Sequence, residues 1–130
     1  MQRVTGIGGI FITCEDAKKQ KEWYATHLGI PEGGVFEWRN KENPRLISSS
    51  VFALFKKDTD YLKPGTKDHM INFRVANLPA LLEQLKQEGV EVVGEMQEYD
   101  YGKFGWILDP EGNKVELWEA VDEEDGKTGG

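Results

Sequence analysis

With 130 residues, 30% charged and 11% aromatic, the chain has the length of one domain and the composition of a folded globular protein rather than of a disordered chain or a two-domain enzyme. A net charge of -7 argues against a nucleic-acid partner, because phosphate binding needs a cationic surface. There is no apolar run near the roughly 20 residues of a membrane span and no signal-peptide core, and the lone Cys14 cannot close an internal disulfide. A cytoplasmic protein without a membrane partner is therefore expected.

In chain order, Ile7 to Cys14 alternates as a strand, and Asp16 caps a helix carrying Trp23, Tyr24 and Leu28, with Gly29 just past its end. Residues 35–39 and 49–55 read as strands around the loop 40–44, and 56–68, with Pro64-Gly65, reads as a connector. Asn77 then repeats the cap. Its helix has Pro79 in the first turn, Leu78, Leu81, Leu82 and Leu85 at helical spacing, and Gly89 as its stop. Three further strands are predicted at 90–93, 103–108 and 114–118, the last two joined by a turn over Asp109-Pro110-Glu111-Gly112-Asn113. The tail 121–130 carries four acids and one lysine, holds almost half of the charge excess and is expected to be disordered.

The strongest organisational signal is an internal repeat: Gly9 to Met70 and Asp16 to Asn77 share one offset of 61 residues. Each half is approximately βαβββ. This layout, the turn 109–113 followed by Glu116, and the helix end Trp23-Tyr24-Ala25-Thr26-His27-Leu28-Gly29 resemble the vicinal oxygen chelate superfamily, which includes glyoxalase I, bleomycin-resistance proteins and extradiol dioxygenases. The resemblance implies an α+β fold of two tandem βαβββ modules forming curved mixed sheets around a cleft. It gives a single glyoxalase-like domain over 1–120, with module 1 at about 5–58 and module 2 at about 68–120, and it implies a homodimer.

Laid on the family pattern, the four metal-ligand positions read Gly9, Ala53, Met70 and Glu116. One carboxylate is too few donors for a tight divalent site, so no metal and no cofactor is expected. His69 lies one place before a ligand position, where strand alternation turns it away unless a bulge rotates it inward. With the ligand positions inward, Phe11, Asn72, Arg74, Phe55 and Trp118 face the cleft, while Ile71, Phe73 and Val75 pack under the leucine helix. The residues expected to bind a ligand are Phe11, Trp38, Phe55, Asn72, Arg74, Tyr101, Trp106 and Trp118, since aromatic walls with a few convergent polar groups describe a small-molecule site.

Glu116 has two readings. It pairs with Arg74 and braces the modules, or it serves as a general base on an acidic C–H, with Arg74, Asn72 or Lys103 as oxyanion partner. The expected function is a glyoxalase- or bleomycin-resistance-like protein that binds an organic small molecule in an aromatic cleft without a catalytic metal. The alternatives are a lyase or isomerase acting on an α-hydroxy or α-keto compound, with Glu116 as catalytic base, and a non-catalytic interaction module.

Overall fold

The computed structural model describes residues 3–124. In chain order the elements are β1 (Val4–Cys14), α1 (Ala17–Leu28), β2 (Val35–Arg39), β3 (Leu46–Lys56), β4 (His69–Val75), α2 (Leu78–Gln87), β5 (Gln97–Tyr99), β6 (Gly102–Leu108), β7 (Lys114–Ala120) and β8 (Glu123–Glu124). The strands form one curved mixed sheet in the order β2-β3-β1-β4-β7-β6-β5, with β8 on β3. The repeat is visible in the pairing. β1 lies parallel to β3 and β4 parallel to β7, and the two first strands, β1 and β4, meet antiparallel at the centre.

Both helix starts use the predicted caps. The Asp16 carboxylate accepts from the Lys19 amide at 3.1 Å, and 61 residues later the Asn77 side chain accepts from the Ala80 amide at the same distance. The helices differ in what they bury. Leu78, Leu81 and Leu82 of α2 pack with Val75 and Leu117 into a core that Phe73 and Val115 extend, whereas α1 has no buried residue and leaves Trp23 and Leu28 exposed. A second apolar cluster, on the opposite face of β4, joins Phe11, Met70 and Leu62 with Ala53, Phe55 and Trp106.

The structure departs from expectation in two places. Residues 90–93 do not form a strand: Val92 makes only an isolated bridge to Ile107, Gly94 turns the chain with φ 68°, and β5 follows at Gln97–Tyr99. The expected disorder from residue 121 is also corrected, because Glu123 and Glu124 pair with Ile47 and Leu46 of β3. The physical reason is a buried charge: Arg74 needs a counter-ion, and Asp122 supplies it. Residues 125–130 of that tail lie outside the described residues.

Since Leu78 is fully buried, Leu78→Ala is expected to lower stability by about 2–5 kcal/mol. At Leu28, 61% exposed, the same change should stay within about 0.5 kcal/mol. Urea denaturation of the two variants beside the parent measures both.

Candidate functional site

The centre of the sheet is organised as rows of register partners, whose side chains leave the same face. One row runs Gly9, Asn72, Glu116, Trp106 across β1, β4, β7 and β6. Glu116 is only 2% exposed, and a carboxylate taken out of water needs replacement partners. It has three. Oε1 accepts from Asn72 Nδ2 at 2.5 Å, and Oε2 accepts from Trp106 Nε1 at 2.9 Å and from the Tyr61 hydroxyl. All three donate, so the carboxyl group acts only as an acceptor, the arrangement an ionised carboxylate takes.

Asn72 is equally buried, and its Oδ1 has no hydrogen-bond partner. The carboxylate sets this orientation, because a reversed amide would face Glu116 with a second acceptor. The carbonyl has room only because residue 8 is glycine in a bulge of β1, between the paired Ile7 and Gly9: a Cβ there would lie 2.1 Å from Asn72 Oδ1.

The next row holds Arg74, Trp118 and Phe104. The Arg74 guanidinium sits 5.0 Å from the Trp118 ring and 5.3 Å from that of Trp38, donates to the Ser49 carbonyl at 2.9 Å and pairs with Asp122. Asp122 also accepts from the Ser48 hydroxyl at 2.7 Å. The pair between Arg74 and Glu116 considered from sequence is thus corrected: each has its own partners. The deciding factor is Asp122, a residue of the supposedly disordered tail.

Between these rows and module 1 lies a cavity of about 470 Å³, lined by Phe11, Val51, Ala53, Phe55, Tyr61, Asn72, Tyr101, Phe104, Glu116, Trp118 and Val121, with Gly8 and Ser49. Of the residues expected to form a ligand site, Phe11, Phe55, Asn72, Tyr101, Glu116 and Trp118 are brought together here. Trp38 and Arg74 belong to the adjacent cation–aromatic stack. Trp106 holds Glu116 and lines a neighbouring cavity of about 520 Å³ with Tyr61, Tyr99, Tyr101 and Phe104. Sequence reasoning missed Tyr61, Val121 and Gly8. Tyr61 lies in the connector, where no periodicity marks a facing direction, and Val121 lies in the tail. The third glycine of the run Gly6-Ile7-Gly8-Gly9 was assigned to the cleft, but the bulge brings Gly8 to it as well.

Two titrations are shifted around the carboxylate. Burial pushes the Tyr61 hydroxyl well above its ordinary value of 10.0, and the charge and hydrogen bond of Glu116 push it the same way. Burial lowers Lys114, partly offset by attraction to Glu116; its Nζ donates to the Tyr61 carbonyl at 2.6 Å and lies 5.1 Å from the Tyr61 ring centre.

The residues present do not fit a divalent cation. Of the four family positions only Glu116 carries a charged donor, and its oxygens already accept three hydrogen bonds, one at Oε1 and two at Oε2. His69 is the neighbour of buried Met70 on β4, points outward and has Asp68 at 3.2 Å from Nδ1. Among the described residues no three His, Cys, Asp or Glu side chains cluster as a metal site.

The model of the Glyoxalase/Bleomycin resistance protein/Dioxygenase superfamily matches residues 6–117. The chain belongs to this superfamily. No curated protein matches it in sequence. Among solved structures, methylmalonyl-CoA epimerase from Mycobacterium tuberculosis is 21% identical with a TM-score of 0.61, over 93% of this chain and 91% of that one. A variant of the Streptomyces coelicolor methylmalonyl-CoA epimerase, in complex with 2-nitronate-propionyl-CoA, is 20% identical with a TM-score of 0.67, over 94% and 99%. The Mn(II)-bound glyoxalase from Novosphingobium aromaticivorans is 15% identical with a TM-score of 0.61, over 96% of this chain and 42% of that one. These likenesses establish the α+β glyoxalase fold with its tandem modules.

The raised Tyr61 value has a definite sign. The protonated phenol is favoured in the folded state, so its contribution is complete below pH 10.0, the unfolded value, and declines as pH rises above it. The stability difference between the parent and Tyr61→Phe should therefore shrink above that pH, as read by urea denaturation at a series of alkaline pH values. Asp122→Asn leaves the Arg74 charge buried without its counter-charge and should cost about 3 kcal/mol, measured in the same way.

Proposed function

We propose that the protein binds an organic small molecule in the aromatic cavity between its modules, and that no catalytic metal takes part. The observation that carries this reading is the cavity itself: about 470 Å³, walled by aromatic and aliphatic side chains from both modules, with Glu116 and Asn72 as convergent polar groups. Such a volume suits a drug-sized ligand and speaks against a module whose cleft is filled by its own side chains. The metal-free reading rests on the donor set, which offers one carboxylate already surrounded by donors.

The lyase or isomerase reading keeps one observation in its favour: Glu116 lines the cavity, and its Oε1 accepts only one hydrogen bond. A base there would remove a proton next to a carbonyl, and the resulting oxyanion would need a donor. Arg74 is held by Asp122 and the Ser49 carbonyl, the Asn72 amino group is given to Glu116, and Lys103 lies 3.8 Å from Glu119. Binding without turnover is therefore the better-supported function.

We also propose that a second copy of the chain covers part of module 1. Val4, Ile7 and Ile10 are the register partners of Val75, Phe73 and Ile71 and so share the helix-bearing face, yet they remain 47%, 46% and 42% exposed. An exposed apolar strip on a folded domain is a candidate contact surface, and a second copy of the chain is the occupant proposed for it.

Quenching or enhancement of tryptophan emission should report ligand entry, because Trp118 lines the cavity, and Trp118→Phe should remove most of the signal. A library of uncharged aromatic compounds that leaves emission unchanged at millimolar concentration would count against the reading. Glu116→Gln should leave any turnover of hemithioacetals unaltered under the binding reading and abolish it under the base reading. Sedimentation equilibrium should give a dimer, converted to monomer by Ile7→Glu.

A further inference from the structure

The inner end of the cavity carries an imbalance that small-molecule binding by itself does not account for. Its one charged group is an acceptor. Glu116 is a buried carboxylate whose Oε1 takes a single hydrogen bond, and Asn72 Oδ1 is a buried carbonyl with none. Leaving a buried acceptor unpaired is costly, of order 1–3 kcal/mol, and a native structure holds it in place only when something else benefits. No Lys, Arg or His side chain lines the cavity to balance these oxygens. Arg74 is occupied by Asp122 and the Ser49 carbonyl, and Lys114 donates to the Tyr61 carbonyl.

The backbone preserves the arrangement. Gly8, in the β1 bulge, is the residue against which the Asn72 carbonyl rests, and any side chain there would collide with Oδ1. Phe11 and Phe55 line the same cavity, and aromatic faces attract cations as well as apolar surface, whereas Trp118 already stacks with Arg74 and Phe104.

We propose that this end of the cavity is a recognition site for a hydrogen-bond-donating head group, a protonated amine above all, carried on a flat apolar body, and that it discriminates against carboxylates. The head donates to the free side of Glu116 Oε1, while the body lies along the aromatic walls. This rests on the small-molecule reading above and adds the class of ligand. A carboxylate head would meet the negative charge of Glu116 with no cationic side chain in the cavity lining to offset it, so the distinction is repulsive as well as attractive.

The test uses 2-naphthylmethylamine, 2-naphthylmethanol and 2-naphthoate, which share one flat body and differ in the head. Each is titrated into the isotope-labelled full chain, and two-dimensional NMR follows the Asn72 side-chain amide and the Trp106 and Trp118 indole signals. The amine should bind at least about tenfold more tightly than the carboxylate, with the alcohol between them, as expected for hydrogen bonds to a charged group. Glu116→Gln should bring amine and carboxylate within about threefold of each other, since the charge is lost and the shape kept.

The parent chain decides the matter even if a variant fails to fold. Equal affinities, or tighter binding of the carboxylate, overturn the donor-head proposal and leave small-molecule binding standing. If none of the three compounds moves the cavity signals, the binding reading itself falls, and the head-group proposal falls with it.

Discussion

The burial of one carboxylate organises the middle of this protein. Glu116 sits at 2% exposure on β7, beside the apolar cluster of Phe11, Met70, Ala53 and Phe55, and an isolated charge there would be prohibitively costly. It is tolerated because three elements each bring a donor: β4 through Asn72, β6 through Trp106, and the connector between the modules through Tyr61. The last of these matters most for shape. By pinning Tyr61, and with it the buried Leu62, the carboxylate fastens a segment without strand or helix against the sheet and turns a linker into one wall of a cavity.

The neighbouring row solves the opposite problem. Arg74 is buried between two indole rings, and its counter-charge comes from Asp122, beyond the end of β7. The two buried charges of β4 and β7 therefore do not neutralise each other, although they leave the same face of the sheet. Arg74 is sequestered with the segment 121–124, which it ties to β3 of the other module, while Glu116 remains as the one formal charge lining the cavity. The cavity is thus lined by a single carboxylate, in a fold of which one solved member is Mn(II)-bound. The ligand positions of the family pattern are still neighbours in space, but three of them have become glycine, alanine and methionine, and two of those help to pack the wall.

The repeat is a repeat of backbone, not of packing. Caps, pairing and the offset of 61 residues are preserved in both modules, yet α2 buries three leucines on its sheet and α1 buries nothing. Module 2 has a core sufficient to hold its strands, whereas module 1 leaves Val4, Ile7 and Ile10 of β1 uncovered. The leucine core and the exposed apolar strip of β1 are thus placed in different halves of one small domain.

Local information in the chain was enough for most of the elements, and the family resemblance implied their arrangement. Cap residues at Asp16 and Asn77, leucines at helical spacing, the 109–113 turn and the alternation that sends Asn72 and Glu116 one way and Ile71 and Phe73 the other are all short-range patterns, and strand parity carries them into the correct face. Half of the cavity was legible for the same reason, since Phe11, Phe55, Asn72, Glu116 and Trp118 lie on regular strands. Who pairs with whom was decided only in three dimensions. Tyr61 and Asp122 sit 55 and 48 residues from the side chains they serve, in segments with no period to read, and the bulge that admits the Asn72 carbonyl beside Gly8 is a register shift that alternation cannot foresee. Periodicity transmits direction along one element, but the satisfaction of a buried charge depends on whichever distant donor or counter-charge the folded chain brings within reach.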